Sequence, residues 1–305
     1  ATPRFPGLRR VGWPLPGTLP RVTLIVPTRD QHRLLRTCVQ GLLTQTDYPD
    51  LRIIVVDNGS TCPQTLAYLD ELPSRGVSVL PHPFAFNYAA INNRAVARAS
   101  GSLIGLVNND IAVRDPGWLK AMVAQLLQPG VGAVGAKLLW PDGMVQHGGV
   151  VVGMSGLAGH TGNGWRAEDA GYLGLNQLTR RQSAVTAACL LMHKSLFEQL
   201  GGLDEAQFPV TFNDVDLCLR IARHGRAVLW AEQAQAVHAE SASRGKNDST
   251  EKAARAEREQ RNFVQRWGHL PADPYYHPAL NHDWASGPYA ALHAGGAARA
   301  LSPSV

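Results

Sequence analysis

The stretch GSLIGLVNNDIAVR, residues 101–114, is the part of the chain from which we predict its fold. An apolar run at 103–107 ends abruptly in Asn108, Asn109 and Asp110. Such a run is typical of a strand buried on both faces of a sheet, and polar side chains just past its carboxyl end lie where open α/β sheets bind ligands. Taken alone, the three polar residues fit a simple turn equally well.

The segments on both sides of this stretch alternate between strand and helix patterns. We predict strands at residues 21–27, 51–56, 77–80 and 103–107. Apolar residues at helical spacing predict helices at residues 34–43, 63–71, 87–100 and 116–128. Strands that alternate with helices indicate an α/β fold with a mixed, mostly parallel central sheet flanked by helices.

The second half of the chain has a different pattern. Extended segments are predicted at 144–154 and 183–193, a helix over the FNDVDLCLR motif, a strand at 227–237 and a C-terminal helix at 248–267. Residues 155–182 are rich in glycine and polar side chains. A polar segment of this length is more often functional than a mere connection, so we expect it to cover a site.

Length and composition exclude several classes of protein. With 305 residues, 45% hydrophobic and 17% charged, the chain can bury the core of one large α/β domain. The formal charge is +5, but no basic run is interleaved with aromatic residues, so nucleic acid is not an expected partner. The four cysteines lack metal-ligand spacing, which favours free thiols over a zinc or disulfide framework.

The ends of the chain differ from its middle. Residues 1–20 are rich in proline and arginine and predict a linker, which suggests one domain of a larger protein. We assign residues 21–245 to the main domain, and residues 246–305 to a helix and an irregular tail packed on it. No apolar stretch approaches the roughly 20 residues that span a bilayer, and no signal peptide is evident. We therefore expect a cytoplasmic location, and leave open an association with the inner face of the membrane.

Residues 130–135, GVGAVG, match the dinucleotide-binding pattern GxGxxG. That pattern should follow a strand and open a helix, whereas here it follows a helical segment and leads into a strand-like one. We therefore do not interpret it as a nicotinamide site, although a dehydrogenase remains an alternative that an NAD titration would test.

The FNDVDLCLR motif, residues 212–220, is the second segment that could carry catalytic residues. Apolar residues at helical spacing predict a helix capped by Thr211 or Asn213. Asp214 and Asp216 point about 200° apart on such a helix, so only one can face a cleft. We expect Asp214 to face it, and Asp216 to form a surface ion pair with Arg220. The simplest alternative is that both aspartates only complement the helix dipole.

Eight segments in chain order resemble the family 2 inverting glycosyltransferases of the GT-A fold. They are VTLIVPTRD, IIVVDNGS, the strand ending in NND, GAVGAKLLWPDG, SAVTAACLL, GGLDE, FNDVDLCLR and VHAESASRG. The resemblance covers roughly residues 21–245, and the tail is similar to that of bacterial polysaccharide and O-antigen glycosyltransferases.

This resemblance implies roles for particular residues. The catalytic base would be Asp214, and the metal ligands Asp110 and His238. The residues that would bind the donor are Pro27, Thr28, Asp57, Asn87, Asn93, Asn108 and Asn109. Those that would contact the acceptor or the transferred sugar are Thr186, Ala187 and Asn213.

The implied activity is transfer of a hexose from a UDP- or dTDP-sugar to a hydroxyl of a glycan or lipid-linked glycan. A divalent cation, Mn²⁺ or Mg²⁺, would neutralise the leaving diphosphate, and a single carboxylate base predicts inversion at the anomeric carbon. Asn108 replaces the first acid of the family's DxD motif, so Asp110 is the carboxylate that this motif supplies. A catalytically inactive, carbohydrate-binding or scaffold domain is the alternative.

Overall fold

The computed structural model describes residues 7–239, 250–268, 272–283 and 288–289. The predicted irregular tail and the end of the VHAESASRG segment lie largely outside these residues. Within them, no helix is long and apolar enough to cross a membrane.

The first third of the chain forms a parallel sheet with helical connections. Its elements are β1 (Val22–Thr28), α1 (His32–Thr44), β2 (Leu51–Asp57), α2 (Pro63–Glu71), β3 (Ser78–Pro81), α3 (Tyr88–Val96) and β4 (Leu103–Val107). Strand β1 pairs in parallel with both β2 and β4, and β2 pairs in parallel with β3. The helix predicted at residues 87–100 is shorter in the structure, where it ends at Val96.

The remaining elements extend this sheet. They are β5 (Ile111–Val113), α4 (Trp118–Leu126), β6 (Val131–Leu139), β7 (Val145–His147), β8 (Val150–Val152), β9 (Ala158–His160), β10 (Arg180–Gln182), β11 (Cys189–His193), α5 (Lys194–Gln199), α6 (Asn213–Arg223), β12 (Ala227–His238) and α7 (Thr250–Trp267). The GxGxxG pattern lies largely in β6 and opens no helix, which argues against the dinucleotide site.

The strand order is β10-β12-β6-β11-β4-β1-β2-β3, with β5 beside β12 and β7 beside β6. Strand β11 runs antiparallel to both its neighbours, and β10 antiparallel to β12. The other six strands of this path share one direction in the described part of the chain. The predicted α/β class with a mixed, mostly parallel sheet is confirmed.

Two hydrophobic clusters cover the two faces of the sheet. In β1, Val22, Leu24 and Val26 pack on the side of α1, α2 and α4, whereas Ile25 packs on the side of α3 and α6. Helix α7 adds Phe263 and Trp267 to the second cluster. Because both faces are covered, every residue of β1 and β4 is buried.

The glycine-rich polar segment at residues 155–182 contains regular secondary structure. It contains β9, a 3₁₀ segment at Tyr172–Gln177 and β10. The Lys137 ammonium anchors this segment by donating to the carbonyls of Ala167 and Asn176, at 2.8 and 3.0 Å. That this segment closes over a bound ligand stays a prediction.

Candidate active site

A cavity of about 640 Å³ opens at the carboxyl edge of the sheet. Ten of the residues predicted to bind substrate or metal, or to act as base, line it: Pro27, Thr28, Asn108, Asn109, Asp110, Thr186, Ala187, Asn213, Asp214 and His238. Residues far apart in the sequence thus share one cavity.

The strand directions explain this convergence. Strands β1, β4 and β12 run the same way, so their carboxyl ends meet at one edge of the sheet. Strand β11 runs the opposite way, so the segment before it, with Thr186 and Ala187, reaches that edge from the other direction. This is the edge where open α/β sheets bind ligands.

Asp110 and His238 form a close polar pair in the cavity wall. Oδ1 of Asp110 lies 3.1 Å from Nε2 of His238, and both side chains are buried. The backbone holds them together, because Ala239 N–H donates to the Asp110 carbonyl and His238 pairs with Ile111 between β12 and β5. Asn108 Nδ2 lies 3.3 Å from the same imidazole nitrogen.

The pair fits two adjacent positions around a small divalent cation. Ligand atoms at about 2.1 Å from an octahedral ion and at right angles lie about 3.0 Å apart, close to the observed separation. The described residues contain no cluster of three or more His, Cys, Asp or Glu side chains that could hold an ion. Among the described residues, amide oxygens could complete the ligands of an ion here, together with water and substrate phosphates.

The carboxylate of Asp214 is fixed by backbone donors on both oxygens. Its Oδ2 accepts from Ala187 N at 3.0 Å and its Oδ1 from Val215 N at 2.9 Å. One residue further on, the carbonyl of Ala188 accepts from Asn108 N at 2.9 Å. A short stretch of backbone thus connects the predicted base to the predicted metal motif.

Tyr88, Gln146 and Lys252 are among the residues of the cavity wall that the sequence did not predict. The Tyr88 hydroxyl lies 3.1 Å from the Ala187 carbonyl and 3.3 Å from Asn108 Oδ1. The Gln146 amide oxygen lies 2.6 Å from Nδ1 of His238, and Lys252 of α7 lines the cavity. A tyrosine in the first turn of a helix, a glutamine in a short strand and a lysine on a charged helix carry no local signal that distinguishes them from ordinary surface or core residues.

Three predicted donor-binding residues are not in the cavity wall. Asp57 ends β2, where its carboxylate accepts from Ser60 N, while its neighbour Asn58 lines the cavity. Asn87 caps α3 by accepting from Ala90 N. The Asn93 amide bonds to the backbone of Leu203. The contacts of Asn87 and Asn93 are those of residues that hold a helix start and a loop.

The structure corrects two expectations about α6. Its N-cap is Phe212, in a left-handed conformation without a side-chain cap, and not Thr211 or Asn213. Asp216 does pair with Arg220, at 2.8 Å, but it is fully buried and not on the surface. Its other oxygen accepts from Arg266 and from the Trp267 indole of α7, a helix about 50 residues further along the chain.

Burial also fixes the protonation of groups close to the cavity. It raises the pKa of the Cys218 thiol, on α6, to about 12. Burial likewise lowers the pKa of the His147 imidazole, whose Nε2 accepts from Thr186 N. Both groups are therefore neutral near pH 7.

Comparison with known proteins places this site in a wider context. Residues 20–262 match the model of the family described as "Glycosyltransferase like family 2". The chain is 46% identical over 274 residues to the uncharacterized protein y4gI of Sinorhizobium fredii, and 43% identical over 279 residues to the O-antigen biosynthesis protein RfbC of Myxococcus xanthus. Each match covers 89% of this chain, but only 30% and 21% of those proteins.

The fold is similar to that of a mannosyltransferase from Pyrobaculum calidifontis, solved in complex with GDP-Man and Mn²⁺. The TM-score is 0.59 at 17% identity, over 87% of this chain and 70% of the other. At this identity the similarity concerns the fold alone, a mostly parallel central sheet flanked by helices that matches GT-A glycosyltransferases. Together with the family match over most of the chain, these findings show that the chain belongs to glycosyltransferase family 2.

Proposed function

We propose that this chain is a metal-dependent, inverting glycosyltransferase that moves a hexose from a nucleoside diphosphate sugar to a glycan hydroxyl. The observation that carries the proposal is the single cavity lined by Asp110, His238 and Asp214, in a chain of this family. The two kinds of group that the reaction needs, ligands for a cation and a carboxylate base, are present in one space.

Asp110 and His238 are the residues we assign to the cation, Mn²⁺ or Mg²⁺. Bound there, the ion would act as a Lewis acid that neutralises the charge developing on the leaving diphosphate. The mannosyltransferase with the similar fold was solved with Mn²⁺, which supports this assignment. Asn108 and Asn109, in the same segment, and Pro27 and Thr28, after β1, are the side chains we assign to the donor.

Asp214 is the residue we assign as the base. Its two backbone hydrogen bonds fix the carboxylate in the cavity wall, while the remaining lone pairs of its oxygens can accept the proton of an acceptor hydroxyl. Attack by that hydroxyl on the face of the sugar opposite the diphosphate inverts the anomeric carbon. Asn213, Thr186 and Ala187 lie beside the base, and we assign them to the acceptor or the transferred sugar.

The relatives suggest the biological setting. An O-antigen biosynthesis protein among them supports an acceptor in polysaccharide assembly, free or lipid-linked. For the donor we propose a UDP- or dTDP-linked sugar. Since the chain spans less than a third of y4gI and of RfbC, we propose that it forms one catalytic domain, residues 21–245 with α7 packed on it, of a larger protein. Its cytoplasmic location stays a prediction.

A turnover assay tests the proposed function. Sugar nucleotides are first screened with Mn²⁺ by thermal shift, because a ligand that binds only the folded state raises its stability. The stabilising donor is then offered with glycan acceptors, and the anomeric configuration of the product is determined by NMR. We expect inverted product that requires the metal.

The variant Asp214→Asn should keep donor binding but lose transfer by a factor on the order of 10²–10⁴, the usual contribution of a positioned base. Donor binding without transfer in the unsubstituted protein, across the acceptor panel, would favour the inactive carbohydrate-binding domain. A retained configuration in the product would contradict the proposed mechanism.

A further inference from the structure

We propose that Gln146 is a positioning residue for the cation site, because its amide oxygen fixes the tautomer of His238. The inference rests on the proposed function, in which His238 holds the cation. It assigns a role to a side chain that the chemistry described above does not use.

The geometry around the imidazole carries the first step. Gln146 Oε1 lies 2.6 Å from Nδ1 of His238, and Gln146 is only 2% exposed. The other end of the amide, Nε2, donates to the His238 carbonyl at 3.4 Å. These two contacts with one residue orient the amide, with its oxygen toward the ring and its nitrogen toward the backbone.

The second step follows from the hydrogen-bonding capacity of the two groups. An amide oxygen can only accept, so Nδ1 of His238 must carry the proton that joins them. In the neutral imidazole the other nitrogen, Nε2, then presents a lone pair. Asn108 Nδ2, at 3.3 Å, can donate to that lone pair.

The third step concerns the contact between Asp110 and His238. Its Oδ1 lies 3.1 Å from the same Nε2, and a carboxylate oxygen cannot donate a hydrogen bond to it. Two acceptors this close are stabilised when a cation contacts both of them. Histidines that bind metals characteristically donate their other ring N–H to an oxygen in this way, which fixes the ring and raises its basicity.

The sheet explains why Gln146 reaches this point. Strand β7 pairs with β6, and the same end of β6 pairs with the end of β12 that carries His238. The pairing of β7 with β6 is irregular at Gln146, which lies between the paired residues Val145 and His147. The Gln146 amide contacts the His238 ring, while the neighbouring His147 accepts from Thr186 N.

Two variants of Gln146 separate the effect of its hydrogen-bond acceptor oxygen from the effect of its size. Gln146→Met keeps the approximate size but removes the acceptor oxygen, whereas Gln146→Glu keeps an oxygen that can accept from Nδ1. Binding of Mn²⁺, alone and with inorganic pyrophosphate, is followed by the EPR signal of the free ion. We expect Gln146→Met to weaken Mn²⁺ binding about 10- to 100-fold, and Gln146→Glu to retain it.

A cycle with His238→Ala tests whether the effect passes through the imidazole. In the His238→Ala background, Gln146→Met should cause no further loss of Mn²⁺ affinity. An equal loss in both backgrounds, or wild-type affinity in Gln146→Met, would overturn the proposal.

NMR of the ¹⁵N-labelled ring at pH 8, without metal, provides a readout that needs neither activity nor a bound ion. The unsubstituted protein should show His238 with its proton on Nδ1, and a proton on Nε2 would overturn the proposal. If His238→Ala leaves Mn²⁺ binding unchanged while Nδ1 carries the proton, the cation site of the proposed function fails and the tautomer assignment survives.

Discussion

Asp214 and Asp216 lie two positions apart on α6, yet their carboxylates meet different surroundings. Asp214 lines the cavity and accepts from two backbone N–H groups. Asp216 is fully buried among two arginines and the indole of Trp267. The helical period alone places them on different faces, but it does not reveal which face another helix covers. That information depends on α7, far along the chain.

The buried position of Asp216 predicts a large effect on stability. Asp216→Asn should lower the free energy of unfolding by about 2–4 kcal/mol, because it leaves buried donors without a charged acceptor. Turnover should stay near the wild-type rate at temperatures where the variant is folded. Chemical denaturation measures the free energy of unfolding, and the transfer assay measures turnover. The control is Asp70→Asn, because Asp70 is an exposed residue of α2. A loss of turnover in the fully folded Asp216→Asn variant, with Asp214→Asn still active, would contradict the assignment of Asp214 as the base.

At the scale of elements, the glycines of the GxGxxG pattern have structural explanations within and around β6. Gly130 has a positive φ of 82°, a conformation that glycine adopts without strain. A Cβ on Gly132 would lie 2.5 Å from the Ile221 side chain, and one on Gly135 would lie 2.4 Å from Cβ of Val185. The pattern therefore reflects close packing of β6 and not a phosphate-binding loop.

Gly135→Ala should test that packing. The added methyl group must displace Val185, which directly precedes Thr186 and Ala187 in the cavity wall. We expect a loss of about 1–3 kcal/mol in stability, typical of overpacking, together with reduced transfer. Gly12→Ala, where a Cβ would meet nothing within 4 Å, should change neither quantity. Equal stability of the two variants would show that Val185 moves without cost.

The sequence predicts where individual helices and strands lie better than it predicts which of them pack against each other. Strand β4 is predicted at its observed bounds, because an apolar run followed by polar residues is a local pattern. Ten predicted site residues share the cavity, since parallel strands end at a common edge and the family motifs mark those ends. Gln146, Tyr88 and Lys252 were missed because their roles depend on strand pairing and helix packing across the chain. The 3₁₀ segment was missed because its anchor, Lys137, lies in a distant strand.

At the scale of the whole molecule, α7 belongs to the same body as the cavity. Its Glu259 carboxylate is fully buried and accepts from the backbone N–H groups of Val210 and Thr211, both of which line the cavity. The same helix contributes Lys252 to the cavity wall. The C-terminal helix thus supports the wall beside α6, and is more than an extension of the fold.

Glu259→Ala should show this support. Removing the carboxylate leaves two backbone N–H groups without their acceptor, which we expect to cost about 1–3 kcal/mol. Because these residues line the cavity, KM for acceptor or donor should rise more than kcat falls. Glu257→Ala, which removes an exposed carboxylate of the same helix, is the matched control and should leave stability and KM nearly unchanged. Unaltered kinetics in a stably folded Glu259→Ala variant would limit α7 to a structural role.

The division of labour between Asp110 and Asp214 is the central claim, and a titration tests it most directly. Mn²⁺-dependent binding of the donor's nucleoside diphosphate is measured by calorimetry in the unsubstituted protein, Asp110→Ala and Asp214→Asn. We predict that Asp214→Asn binds as the unsubstituted protein does, whereas Asp110→Ala loses the part of the binding that depends on the metal. Undiminished metal-dependent binding in Asp110→Ala would contradict the account.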